Sequence, residues 1–96
     1  MTNKFENKVA IVTGGGSGIG LETAKQFVAQ GGSVVIVGRS AEKLTTAANQ
    51  IDPEGNKVAT LAADVGDVST ADKTVALAID RFGGVDVLFN NAGIFN

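Results

Sequence analysis

The sequence predicts an α/β fold, a doubly wound parallel sheet with helices on both faces. Three observations predict it. Four short apolar runs rich in β-branched residues alternate with three longer segments of helical period. The runs are continuously apolar, as strands buried on both faces are. The first run leads straight into a glycine-rich turn, VTGGGSGIG, residues 12–20.

The first strand is VAIVT, residues 9–13. In the helix that follows, Ile19, Ala24, Phe27 and Val28 share a face, and the glycines at 31 and 32 stop it. SVVIVG, 33–38, is the second strand. Ser40 is placed to cap a second helix whose inner side carries Leu44, Ala47, Ala48 and Ile51 and which Pro53 ends. KVATLAA, 57–63, is the third strand. The third helix, capped by Asp67 or Ser69, carries Val68, Ala71, Val75, Ala78, Ile79 and Phe82 at spacings of three and four, and the glycines at 83 and 84 end it. VDVLFN, 85–90, is the fourth strand. Right-handed crossovers then give the sheet order 3-2-1-4. The phenylalanines at 5, 27, 82, 89 and 95 form no stacking platform; Phe27, Phe82 and Phe89 sit at core-like positions and read as packing residues.

Composition narrows the function. With 96 residues, 44% hydrophobic and 19% charged, the chain suits one folded unit, residues 1–96, without linker or repeat. Net charge is −2 and the basic residues are scattered, which argues against a nucleic-acid groove. The sequence contains no Cys and no His, hence no disulfide frame, no thiol nucleophile and no soft-metal site. The apolar runs are too short for a membrane span, and the polar N-terminus lacks a signal-peptide core, so the expected location is cytoplasmic. A doubly wound sheet usually continues past its fourth strand. The bare edge expected here predicts a domain truncated after strand four.

The glycine turn begins at the carboxyl end of strand one and runs into helix one, where backbone N–H groups and the helix dipole form an anion site. No Lys follows a glycine, which excludes a Walker A loop, and a strict G-x-G-x-x-G cannot be placed. What remains is T-G-x-x-x-G-x-G, from Thr13, Gly14, Gly18 and Gly20. A tight turn without a ligand is the alternative, but the glycines exceed what a turn needs.

At the end of strand two, an enzyme preferring NAD would carry an acid near residue 38 to accept from the ribose 2′-hydroxyl. Here Gly38 leaves the place empty and Arg39 follows. A guanidinium grips a 2′-phosphate by charge-assisted hydrogen bonds, and Ser40 can donate another. A solvated Arg39 and a Ser40 that only caps its helix are the alternative roles. The missing acid favours NADP over NAD.

The turn motif, NNAG at 90–93 and AADV at 62–65 together resemble the short-chain dehydrogenase/reductase family over essentially the whole chain. The resemblance implies the N-terminal part of a Rossmann-type domain. It implies that Gly14, Ser17, Gly18, Ile19 and Gly20 meet the cofactor pyrophosphate while Thr13 braces the loop. Asp64 would accept from the adenine amino group, with Val65 beside the ring; by position alone, Asp64 could equally cap the next helix. Asn91, Ala92 and Gly93 would pass the cofactor ribose, with Asn90 tying strands together. The family's catalytic Ser and Y-x-x-x-K are a different matter. The sequence contains no Tyr, so no residue here takes a catalytic role.

Two readings follow. One is the NADP(H)-binding portion of a short-chain oxidoreductase acting on a small carbonyl or alcohol, homo-oligomeric when intact. The other is a non-catalytic dinucleotide-binding module, such as a redox sensor.

Overall fold

The structure, a computed structural model, describes residues 4–16, 18–64 and 66–90. Their elements alternate as expected: β1 (Val9–Thr13), α1 (Gly18–Ala29), β2 (Ser33–Gly38), α2 (Ala41–Ile51), β3 (Val58–Ala62), α3 (Val68–Phe82) and β4 (Val87–Asn90). All strand pairs are parallel and the sheet order is β3-β2-β1-β4. β1 and β2 lie at the centre and are almost wholly buried, which is why their sequences are apolar on both faces.

Successive strand residues point to opposite sides and build two cores. Ala10, Val12, Val34 and Ile36 meet Ala24 and Phe27 of α1 and Leu44 and Ala47 of α2. Val9, Ile11, Val35, Val37 and Ala59 meet Ala78 of α3, with Leu77 and Phe82 packed at the margin. Phe5 stacks on Phe27 with ring centroids 4.4 Å apart, and Phe89 meets Phe27 edge-on at 6.2 Å. Phe5, Phe27 and Phe89 thus form an aromatic cluster in one core, and Phe82 packs against the other, so Phe27, Phe82 and Phe89 are packing residues as expected.

β4 starts two residues later than expected. Asp86 accounts for it: its carboxylate accepts from the Val9 N–H at 2.8 Å while its own N–H donates to the Val9 carbonyl, also at 2.8 Å. A side chain thus supplies the acceptor that another strand residue would have offered.

α3 turns inward a face that shares only Ala78 and Phe82 with the expected stripe. Thr70, Thr74 and Ala78 are buried, whereas Val68, Val75 and Ile79 are exposed, Val68 by 90%. The two threonines tolerate burial because each hydroxyl has a carbonyl: Thr70 donates to Asp64 O at 2.6 Å and Thr74 to Thr70 O at 2.7 Å. Ile19, expected on the inner face of α1, is 60% exposed.

The caps follow the sequence closely. Ser40 caps α2, its hydroxyl accepting from the Lys43 N–H at 3.1 Å. Gly83 ends α3 in the left-handed conformation, φ 91°. Of the two residues proposed for the α3 cap, Asp67 takes the role. The Ser69 backbone N–H, and next its hydroxyl, donate to Asp67 Oδ1 at 2.9 Å and hold the carboxyl below its ordinary pKa of 3.8, with a smaller pull from Lys73. A folded-state value below the unfolded one gives a contribution complete above the unfolded pKa and lost as pH falls through the folded one. Asp67→Asn keeps an acceptor at the cap but cannot titrate, so its stability is expected to fall less steeply than the parent's below about pH 4. Urea denaturation of both forms across that range measures this; parallel curves would contradict it.

Candidate functional site

The carboxyl ends of β1, β2, β3 and β4 lie side by side on one edge of the sheet, because every strand is parallel. In such sheets the crevice outside this edge is where ligands bind. The glycine turn starts there. Gly14 and Gly18 both have positive φ, 68° and 59°, a conformation that β-carbon-bearing residues rarely adopt. Gly20 lies against the Gly14 carbonyl, so that a Cβ at Gly20 would stand 2.7 Å from Gly14 C and 3.2 Å from Gly15 Cα. Gly15 is buried over Ile36, whose Cβ and Cγ2 would both be 2.7 Å from an added Cβ.

Most of these glycines are thus required by the chain's own packing. The Gly14 N–H donates to Val37 O at 2.8 Å, and the Gly15 N–H reaches the same carbonyl at 3.4 Å. Both face into the protein. The donors left for an anion are those of the first turn of α1, Gly18, Ile19 and Gly20, which have no intrahelical acceptor. Gly18 is exposed with nothing within 4 Å of where its Cβ would be, which is open room for a ligand at that helix end.

Beside the turn lies a cleft of about 200 Å³, bordered by Gly14, Gly16, Gly38, Arg39, Ser40 and Lys43 with Leu44 at its base. A Cβ on Gly38 would lie 3.4 Å from Leu44 Cδ2 and one on Gly16 3.6 Å from Lys43 Cβ, so side chains at either glycine would fill the cleft. Two cations border it and no carboxylate does. Ser40 Oγ accepts from Lys43 N, which leaves its hydrogen to donate. Lys43 was not among the residues that the sequence reading selected; its signal was the four-residue spacing from Arg39 across a helix start.

Asp64 stands at the end of β3. Its Oδ1 accepts from the Gly66 N–H at 2.8 Å and lies 3.7 Å from Arg39 Nη2. It therefore braces its own turn and does not cap α3. The two side chains are 83% and 59% exposed, so the pair is worth little and is readily exchanged for another partner. At the far side, the Thr13 hydroxyl donates to Asn90 Oδ1 at 2.9 Å, tying β1 to β4 at the crevice, the role expected for Asn90. Ser17, Val65, Asn91, Ala92 and Gly93, also expected at the site, lie outside the described residues.

The structure brings together Gly14, Gly18, Gly20, Arg39, Ser40 and Asp64 along one sheet edge, whereas Ile19 borders a separate groove with Phe5, Phe27 and Phe89. Among the described residues there is no cluster of three or more His, Cys, Asp or Glu that could hold a metal, and no helix is long and apolar enough to cross a membrane.

Comparison with known proteins agrees with this geometry. A family model described as short chain dehydrogenase matches residues 8–96. A subunit of (2S)-[(R)-hydroxy(phenyl)methyl]succinyl-CoA dehydrogenase from Thauera aromatica is 40% identical over 90 residues, 94% of this chain and 36% of that protein. Galactitol 2-dehydrogenase from Agrobacterium fabrum is 40% identical over 93 residues, 97% of this chain and 35% of the relative. The crystal structure of L-sorbose reductase from Gluconobacter frateurii, complexed with NADPH and L-sorbose, superposes with a TM-score of 0.87 at 37% identity, covering 97% of this chain and 36% of the reductase. The chain spans about a third of the length of these relatives.

Proposed function

Because the chain belongs to the short-chain dehydrogenase family, we propose that it forms the NADP(H)-holding portion of an oxidoreductase that moves a hydride between the nicotinamide and a small carbonyl or alcohol compound. The observation that carries the cofactor preference is the cleft at the end of β2, where Arg39, Ser40 and Lys43 gather around a place that holds no acid. A carboxylate there would accept from a ribose 2′-hydroxyl and repel a 2′-phosphate; a guanidinium reverses both effects. The NADPH complex of the L-sorbose reductase supports the same choice.

The residues divide the cofactor among them. The N–H groups at the start of α1, from Gly18 to Gly20, meet the pyrophosphate, with Ser17 adding its hydroxyl. Arg39 leaves its weak pairing with Asp64 and turns to the 2′-phosphate, which frees Asp64 to accept from the adenine amino group, beside Val65. Asn91, Ala92 and Gly93 pass the ribose nearest the nicotinamide, steadied by the Thr13–Asn90 bond. Bound along this edge, the nicotinamide supplies or accepts the hydride. The proton that accompanies it at the substrate oxygen needs a tuned acid or base. The sequence holds no Tyr, so a Tyr and Lys in Y-x-x-x-K would come from segments outside residues 1–96. A cytoplasmic homo-oligomer completes the proposal.

Arg39→Ala tests the cofactor assignment. It is expected to weaken NADP(H) binding by about 1.5–3 kcal/mol, the scale of a hydrogen bond to a charged group, and to leave NAD(H) nearly unchanged. Fluorescence titration of the intact protein with both cofactors reads the difference. Equal NADP(H) affinity before and after the change would overturn the assignment.

A further inference from the structure

The backbone of Asp64 is held by a residue that the cofactor assignment does not use. β3 stays bonded to β2 as far as the Ala63 N–H, which donates to the Gly38 carbonyl at 2.8 Å, and α3 begins at Val68. Asp64 lies between these two fixed points. Its Oδ1 is taken up by the Gly66 N–H and by the loose pairing with Arg39, so among the described residues Oδ2 is left to accept from a ligand. Its backbone carbonyl accepts twice, from the Asp67 N–H at 3.0 Å and from the Thr70 hydroxyl at 2.6 Å.

These bonds differ in what they fix. Those from Gly66 and Asp67 join residues of one turn and move with it. The Thr70 bond spans six residues and comes from a side chain that is 6% exposed. It ties the turn to a helix packed against the sheet through Ala78 and Phe82. With Ala63 anchored on one side and the Asp64 carbonyl on the other, both soft backbone torsions of Asp64 are set. The direction in which its side chain leaves the sheet edge is set with them. A carboxylate accepts well only within a narrow range of distance and angle, so that direction decides how strongly it meets a fixed donor. We propose that Thr70 is a positioning residue for adenine recognition, its hydroxyl holding Asp64 where the carboxylate meets the adenine amino group. The inference rests on the assignment of Asp64 made above and deepens it. Thr70 itself touches no cofactor atom.

The test compares NADPH with reduced nicotinamide hypoxanthine dinucleotide phosphate, which carries an oxo group in place of the adenine amino group. A carboxylate accepts from the amino group and repels the oxo group. Fluorescence titration of the intact protein is expected to show a preference for NADPH of about tenfold, the scale of one charge-assisted hydrogen bond. Thr70→Val keeps the shape without the hydroxyl and should lower the preference to about threefold or less, as should Thr70→Ala. Thr70→Ser should restore most of it, and Asp64→Ala should abolish it. Each preference is a ratio measured on one variant, so a general loosening that weakens both ligands alike leaves it unchanged. If Thr70→Val and Thr70→Ala keep the parent's preference while Asp64→Ala loses it, the role of Thr70 is overturned and the assignment of Asp64 stands. Failure of Thr70→Ser to restore the preference overturns that role as well. No preference in the parent, or one that survives Asp64→Ala, overturns the assignment itself and this inference with it.

Discussion

Phe27→Ala is expected to destabilise the protein by about 3–5 kcal/mol, the range for truncating a buried aromatic side chain. Phe27 is 2% exposed. Its ring holds Phe5 against the core on one side and receives the edge of Phe89 on another, so one deletion loosens the N-terminal segment, α1 and β4 together. The ring also lies over Gly32, where a Cβ would collide with it, which shows how closely the chain is fitted around it. Domains of this kind are stable by only about 5–15 kcal/mol, so the loss takes up a large part of the total. Urea denaturation gives the number. Phe27→Leu should recover more than half of it, and a loss below about 1 kcal/mol for Phe27→Ala would contradict the core assignment.

Gly20→Ala is the second large effect, and it reaches the cofactor. The obstructing atoms are backbone, the carbonyl of Gly14 and Cα of Gly15, which cannot rotate aside as a flexible side chain can. α1 must lift away from β1 or the turn must unwind. The expected cost is about 1–3 kcal/mol of stability, with at least a tenfold loss of NADP(H) affinity because the donors at the helix start move from the crevice. Gly84→Ala serves as the comparison: nothing lies within 4 Å of its added Cβ, and it should leave both quantities close to the parent. Equal NADP(H) binding by Gly20→Ala and the parent would show that the helix start does not hold the ligand.

The strands were legible because a buried parallel strand needs apolar side chains on both faces, and few other elements do. β1 and β2 match their sequence runs residue for residue. Caps were legible for a local reason: the Ser40 and Asp67 side chains bond to atoms three and two residues on. The inward face of α3 was not. Its sequence carries two stripes at helical spacing, and period alone cannot say which one meets the sheet. The less apolar stripe won because Thr70 and Thr74 satisfy their hydroxyls within their own segment, which leaves their methyl groups free to pack. The aromatic cluster was hidden similarly, since Phe5 and Phe89 meet Phe27 only after the chain has crossed the sheet.

The glycine turn was legible as a motif from its place after the first strand and from its spacing. The particular contacts of Gly15 with Ile36 and of Gly20 with Gly14, and the Gly14 N–H bond to Val37, show only in the fold. Arg39 and Ser40 were found through an empty place, the missing acid, whereas Lys43 needed the three-dimensional cleft to be seen.

The central position of β1 has a consequence for synthesis. The Val9–Asp86 and Thr13–Asn90 bonds each span 77 residues of sequence, so one side of β1 waits for almost the whole of the described chain. At a translation rate of about 5–20 residues per second, that side stays unpaired on the ribosome for about 4–15 s, far longer than a helix or hairpin takes to form. β1, α1 and β2 can assemble early as a half-sheet. For that interval the nascent chain carries an open hydrogen-bonding edge at what becomes the middle of the sheet, and this is the stage at which a chaperone would shield it most usefully.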